Sequence, residues 1–368
     1  MGRETYLANL IRHLLHIDRE NEYVLYVSAR DVVEGLKEAR EGQVEFRVIR
    51  PRSSILQRTA LIPIALHRDG VDIFYLHTLG IPFFSGKTVL AVHGISGLWS
   101  ASLGTRLLLR AMLPWSLRSA SRIIANSEYT QREITAEYGV PPDRIRVVHG
   151  GVNQMVFCQD LNTRDTLEYA PVGPYCLYLG AIEARKNLTR LIEAVAVAGR
   201  RLGHPPSVVI AGIPRGPGGT RYLNHLQSVV RDRGLSDAVR FVGYVDPASA
   251  ARLLRRAAFL VFPSLQESFG LPPLEAMACG TPVLASRIGS LPEVLGDAPL
   301  WCDPQDVAAI ADGICRLATD QSLRSLLIQR GRERAACFTW EAAAAKTLQV
   351  FREAANTDPQ GLGPGSRG

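Results

Sequence analysis

The sequence predicts an α/β protein with two parallel-sheet halves in tandem, and three observations carry that expectation. Short β-branched and apolar runs alternate with longer stretches of helical period along the chain, the pattern of parallel sheets covered by helices. At 368 residues and 40.3 kDa the chain exceeds one ordinary core and suits two. A polar, turn-rich break, QDLNTRDTLEYAPVGP, separates one βα series from the next.

The elements follow in order. A doubly wound domain normally opens with a buried strand and a glycine-rich turn, yet here Gly2 and Arg3 lead at once into a helix expected over 4–16. The first strand is expected to be missing, through a late start or a shortened sheet. Strands are then expected at 23–27, 44–49, 72–76, 88–92, 122–125 and 145–148. Amphipathic helices lie between most of them, for example 127–138, with Ser127 as N-cap and Pro141 beyond its end. The first domain is set at 1–158 and the linker at 159–173. A second series places strands at 175–179, 207–211, 239–242, 259–262 and 282–285, within a domain set at 174–337. Two Rossmann-like halves are implied. A last helix follows the cap-like Thr339 within 338–355, and the tail 356–368 has the composition of a disordered end.

Composition narrows the function. Apolar residues make up 46% and charged residues 21%, which excludes disordered and fibrous classes. The net charge of +7 and pI near 9.2 point to an anionic partner: nucleic acid, a lipid surface or a phosphorylated substrate. No nucleic-acid module or interleaved aromatic stripe is present, so no nucleic acid is expected. Six cysteines stand singly, without metal-ligand spacing, and no signal peptide opens the chain, so a reduced, cytoplasmic protein is expected. No apolar run reaches the roughly 18–20 residues that span a bilayer. The leucine-rich stretch 105–122 carries Arg106, Arg110, Arg118 and Arg122. It reads either as a helix with a solvated basic face, the plainer and preferred reading, or as a segment lying on anionic headgroups at the inner face of the plasma membrane.

The most informative string is ESFGLPPLE, whose glutamates Glu267 and Glu275 stand eight positions apart, directly after the strand at 259–262. A strand, a glycine-containing loop and a helix starting near Pro272 set backbone N–H groups at a helix N-terminus, where diphosphate oxygens are attracted. Gly270 permits close approach. Glu267 in the loop and Glu275 in the first helical turn then flank a sugar nucleotide and accept hydrogen bonds from its hydroxyls. The alternative is a chance spacing, with Glu275 merely favouring the helix dipole. Continued through EAMACGTPVLAS, the string resembles the retaining glycosyltransferases of family 4.

That resemblance extends to LYLGAIEARKNLTRLIEAVA, which looks like the family's first C-terminal βα unit, and to TVLAVHGIS and ANSEYTQREITAEYGVPPDRIRVVHGGVN in the first half. It implies the GT-B fold, with two Rossmann-like domains facing across a cleft and a C-terminal helix returning to the first. It implies a hexose moved from a nucleoside-diphosphate sugar to a glycan or lipid-linked acceptor, with retention of configuration. No cofactor is expected, and the absence of Asp-x-Asp points to metal independence. Arg185 and Lys186 are then expected to face the diphosphate and offset charge on the leaving group; the alternative is a solvated pair at a helix start. The donor-binding set is completed by Gly180, Ser268, Phe269, Gly270, Leu271 and Glu275, and the sugar lies near Glu267 and His93. His93 ends a strand where open α/β sheets bind ligands, although a lone histidine there is often structural. Gly2 and Arg3 look like the end of the family's acceptor loop.

The chain departs from a common family form in that Ala181, not arginine, follows Gly180, which leaves Arg185 to supply the charge. A branch reading GxxEPRKN, often mannosyl- or rhamnosyl-transferring, shares this, though Ala184 stands for its proline, and GDP-mannose is therefore favoured. The alternative function is a catalytically silent sugar-nucleotide-binding or scaffold protein. An NAD-type oxidoreductase lacks its GxGxxG here. His13 and His16 share a helix face without further ligands, and Gly212 to Gly219 lacks the Walker lysine.

Overall fold

The computed structural model describes residues 2–27, 44–49, 60–77, 79–80, 84, 86–95, 103–158, 171, 173–216 and 218–357, with 2–5 and 103–106 by backbone alone. The expected linker, apart from residues 171 and 173, and the tail beyond Thr357 lie outside these. The chain forms two compact units. One draws on Met1–Leu98, Leu103–Gly151 and Trp340 onward, the other on Val152–Thr339.

The first unit runs α1 (Gly2–Ile17), β1 (Tyr23–Val27), β2 (Val44–Val48), α2 (Ile62–Arg68), β3 (Ile73–His77), β4 (Lys87–Val92), α3 (Leu103–Ser119), β5 (Arg122–Ala125), α4 (Glu128–Tyr138) and β6 (Ile145–Val147). Strands β3-β4-β5-β6 pair in parallel in that order, while β1 and β2 form a separate parallel pair among the described residues. Ser127 caps α4, its side chain accepting from the Thr130 N–H, and Gly139 ends the helix in the left-handed conformation.

The second unit runs β7 (Cys176–Leu179), α5 (Leu188–Leu202), β8 (Val208–Ala211), α6 (Gly219–Asp232), β9 (Val239–Gly243), α7 (Pro247–Arg256), β10 (Phe259–Phe262), α8 (Leu271–Ala278), β11 (Val283–Ser286), α9 (Leu291–Leu295), β12 (Leu300–Cys302), α10 (Val307–Thr319) and α11 (Gln321–Ala336). Its six strands are parallel in the order β12-β11-β10-β7-β8-β9. Counted from β7 this is the 3-2-1-4-5-6 order of a doubly wound sheet, with its switch point between β7 and β10. Strands β7, β8, β10 and β11 are buried along their whole length, which is why they read as unbroken apolar runs. Helix α5 buries Leu188, Leu191, Ile192, Val195 and Ala198 on one stripe; each fully buried leucine contributes about 2 kcal/mol.

The last helix, α12 (Trp340–Ala355), belongs to the first unit. Its Trp340, Ala343, Ala344 and Leu348 pack in one core with Tyr6, Leu10 and Leu14 of α1 and with Val89 and Ala91 of β4. Alanines allow the close approach. Arg122 and Arg146 reach its Glu353 at 3.5 and 2.9 Å.

Two sequence expectations are corrected here. Residues 152–158 do not belong to the first domain: Val152 and Phe157 lie in the second unit's core, and the Val152 N–H donates to the Phe338 carbonyl at 2.9 Å. Gly2 and Arg3 form the first turn of α1 rather than a loop, because the helical pattern of α1 runs back through them; the Arg3 side chain lies outside the described residues.

Candidate active site

Topological switch points collect ligand-binding loops because neighbouring strands send their connections to opposite sides of the sheet. In the second unit the loops after β7 and β10 meet at that point. The first carries Arg185 and Lys186, and the second carries Glu267 to Gly270.

Strand β7 ends at Gly180, whose N–H donates to the Ala211 carbonyl at 3.0 Å. The chain then makes a single 3-10 turn, Ala184–Lys186, before α5 begins. The two cations thus sit in a turn just ahead of the helix, in the order strand, glycine turn, basic pair, helix that the sequence implied, and the burial of Lys186 sets aside the alternative of a solvated pair. Lys186 is only 6% exposed, and its Nζ pairs with Glu267 Oε2 while lying 4.8 Å from the Phe262 ring centroid. Burial is the largest influence on the Lys186 ammonium and lowers its pKa, with Arg185 adding to the fall and Glu267 opposing it. Burial, the largest single influence, would raise the pKa of Glu267, but the charges of Lys186 and Arg185 together with the hydrogen bonds from Lys186 and the Ser268 N–H hold the carboxyl below its ordinary value. The site therefore keeps an ionised carboxylate in an enclosed place.

Arg185 is half-buried. Its Nε donates to Glu183 Oε2 at 2.6 Å and its Nη1 to the Gln266 carbonyl at 3.4 Å, while its own carbonyl accepts from the Leu265 N–H at 2.8 Å. Part of the charge expected to replace the family arginine is shared with Glu183. These bonds stitch the β7 loop to the β10 loop.

On the β10 side, Glu267 Oε1 accepts the Ser268 N–H at 3.3 Å, and its carbonyl accepts the Ser290 N–H at 3.2 Å. Phe269 is buried with its ring edge-on to Phe338 at 6.1 Å. Gly270 caps α8 at φ 100°, a conformation that favours glycine, and α8 opens at Leu271 with proline in its first turn. No side chain caps this N-terminus; Pro272 and Pro273 carry no N–H and the Leu274 N–H donates to the Gly270 carbonyl at 3.4 Å, so the N–H groups offered to a ligand or solvent are those of Gly270 and Leu271. Because α8 begins at Leu271, Glu275 is its fifth residue and lies beyond the first turn, a correction to the sequence reading. Burial raises its pKa to about 7.

His93 stands in the other unit, directly after β4. Its Nε2 lies 2.9 Å from Nδ1 of His77, the last residue of β3, with the two rings stacked and Tyr6 packed edge-on to His93. Sequence reading missed His77; the signal was a second histidine at a strand end, one residue past the strand boundary drawn for it. It also passed over Gly289, where an added Cβ would lie 2.3 Å from the Glu267 carbonyl oxygen.

Among the described residues no helix is long and apolar enough to cross a membrane. Two family models match the chain: Glycosyltransferase Family 4 over residues 2–154 and Glycosyl transferases group 1 over residues 164–334. The O-antigen chain mannosyltransferase B of Escherichia coli is 34% identical over 247 residues, 64% of this chain and 62% of that protein. The D-inositol 3-phosphate glycosyltransferase 2 of Catenulispora acidiphila is 33% identical over 246 residues, 63% of this chain and 56% of that one. The matches thus span between half and two thirds of these relatives' length. Anabaena HepE, solved with UDP and glucose, superposes with a TM-score of 0.73 at 18% identity over 96% of each chain, and shares the GT-B fold. With one model covering most of the first unit and the other most of the second, the chain belongs to the family 4, group 1 glycosyltransferases.

Proposed function

We propose that the chain transfers a hexose from a nucleoside-diphosphate sugar to a glycan or lipid-linked acceptor, with retention and without a metal. The observation that supports this most is the buried Lys186–Glu267 pair, with Arg185 beside it, next to the uncapped N-terminus of α8. Two cations and the N–H groups of Gly270 and Leu271 suit a pyrophosphate, and they stabilise it more as its bond to the sugar breaks and charge grows. Lys186 serves by turning from Glu267 alone to a position shared with phosphate oxygen. Glu267, kept ionised, accepts from a sugar hydroxyl; Glu275 does the same for the nucleoside. Retention follows from front-face attack, in which the leaving phosphate takes the acceptor proton, so no protein nucleophile is required.

GDP-mannose is the favoured donor. The string GAIEARKN and the name of the Escherichia coli relative support it. A thermal-shift panel of nucleoside-diphosphate sugars tests the reading, since a bound donor raises the melting point. The expected result is a shift with GDP-mannose, and product formation that Glu267→Ala nearly abolishes. Binding without turnover favours the silent sugar-nucleotide-binding or scaffold alternative, and no shift with any donor rejects both.

The cytoplasmic location stays part of this proposal, with peripheral attachment to an anionic leaflet through α3. Its Leu107, Leu108 and Trp115 are 58%, 43% and 42% exposed on one face, beside exposed Arg110 and Arg118, and the helix contains no acidic residue. Co-sedimentation at low salt with phosphatidylglycerol-containing vesicles, but not with phosphatidylcholine alone, is the expected result. Equal recovery in both supernatants rejects it.

A further inference from the structure

Among the described residues Asn187 is the one non-glycine residue with a positive φ, 62°. Such conformations persist where surrounding structure holds them, and they concentrate at functional loops. Asn187 directly follows Lys186 and stands at the N-cap of α5, a position where asparagine usually spends its side chain on a helix N–H. Here it makes no such bond.

The amide is spent elsewhere. Its Nδ2 donates to the Pro263 carbonyl at 3.0 Å and to the Pro304 carbonyl at 2.7 Å, and its Oδ1 accepts from Arg190 Nη1 at 3.0 Å. Pro263 is the first residue after β10, four before Glu267, and Pro304 lies two residues beyond β12. The Asn187 N–H closes the Ala184–Lys186 turn onto the Ala184 carbonyl at 3.0 Å. With the residue only 3% exposed, both amide hydrogens have fixed partners, and the loops after β7, β10 and β12 are joined through one side chain.

We propose that Asn187 is a positioning residue: it holds the Lys186 turn against the loop carrying Glu267, and so sets the affinity of this site for a pyrophosphate. The proposal rests on the nucleotide-sugar reading above. Asparagine fits for two reasons, since it tolerates the left-handed backbone and supplies two donors from one nitrogen. Glycine would satisfy only the first. Aspartate would place an oxygen against two carbonyl oxygens.

The test is a cycle of Asn187→Gly and Lys186→Gln, with Asn187→Asp as a second variant of the same size. Dissociation constants for UDP and GDP are measured at 20 °C by calorimetry, and by ligand-detected NMR where binding is millimolar, after circular dichroism has confirmed each fold. The expected result is a ten- to hundredfold weakening by Asn187→Gly and by Asn187→Asp in the otherwise native chain. In the Lys186→Gln background the further loss shrinks to within twofold, because Asn187 acts through Lys186. Undiminished binding by both Asn187 variants overturns the proposal, as does an equal loss in both backgrounds. Unfolding of both at 20 °C also overturns it, since Asn187 is then a determinant of the fold. Failure of the native chain to bind either nucleotide rejects the underlying nucleotide-sugar reading, and is seen before any variant is compared.

Discussion

His77 and His93 end neighbouring strands of the first unit and lie ring on ring, with centroids 4.9 Å apart, planes 9° apart and Nδ1 to Nε2 at 2.9 Å. One hydrogen must lie between those nitrogens, so the tautomer of either ring dictates that of the other. His93→Ala is expected to remove most transfer activity. His77→Phe, which keeps the stacked ring and loses the bond, is expected to lower kcat about three- to tenfold, the worth of one hydrogen bond, with the donor KM little changed. Steady-state kinetics with the preferred donor checks both, and an unchanged kcat in His77→Phe would show the contact to be packing alone.

Lys186→Met is expected to destabilise the protein by about 3–5 kcal/mol, because it leaves the Glu267 carboxylate enclosed and unpaired. Adding Glu267→Gln is expected to recover most of that loss without restoring activity. Urea unfolding of the two variants separates the stability role of the pair from its proposed work on the donor. A double variant no more stable than the single one counts against the pair as described.

Burial lifts the Glu275 pKa from the ordinary 4.5 to about 7, which gives stability a definite dependence on pH. The folded pKa is the raised one, so the contribution of the protonated carboxyl is complete below about 4.5. It falls away between 4.5 and 7 as the unfolded chain ionises and the folded chain does not. Above 7 both states are charged and the cost stays at about 3 kcal/mol. Glu275→Gln is therefore expected to gain stability at pH 8 and to match the parent near pH 4.5, as measured by denaturant midpoints. Equal gains at both pH values would contradict the assignment.

Gly289→Ala is expected to cost roughly 1–3 kcal/mol, since φ is 55° and the new Cβ would lie 2.3 Å from the Glu267 carbonyl oxygen. That oxygen also accepts the Ser290 N–H, so relief of the clash shifts Glu267 itself. Lower melting temperature together with weaker donor binding is the expected pair of results, and loss of stability alone would detach Gly289 from the site.

Parts of this architecture were legible because burial writes itself into composition. Phe259–Phe262 and Arg122–Ala125 were drawn with correct bounds since central parallel strands need apolar residues on both faces. Strand β12, three residues at a sheet edge, left too short a run to notice. The Glu267 loop was legible through local chemistry: strand, glycine, prolines, helix. What escaped depends on contacts distant in sequence. The register that sets His77 opposite Ala91 brings its ring to His93, and no local pattern encodes that register. Asn187 was passed over, because its partners at Pro263 and Pro304 lie far along the chain. Glu275 was placed one residue too near the helix start, since helix starts drawn from proline alone are uncertain by a residue or two.

The seating of α12 in the first unit also constrains biosynthesis. The unit begun first at the ribosome cannot seal its core until residues past Leu348 have emerged, by which time the whole second unit has been made. The order of synthesis and the order of closure are thus reversed. A nascent chain halted near Thr339 would carry one finished body and one still open along the groove that Trp340 fills, a natural place for a chaperone to hold it.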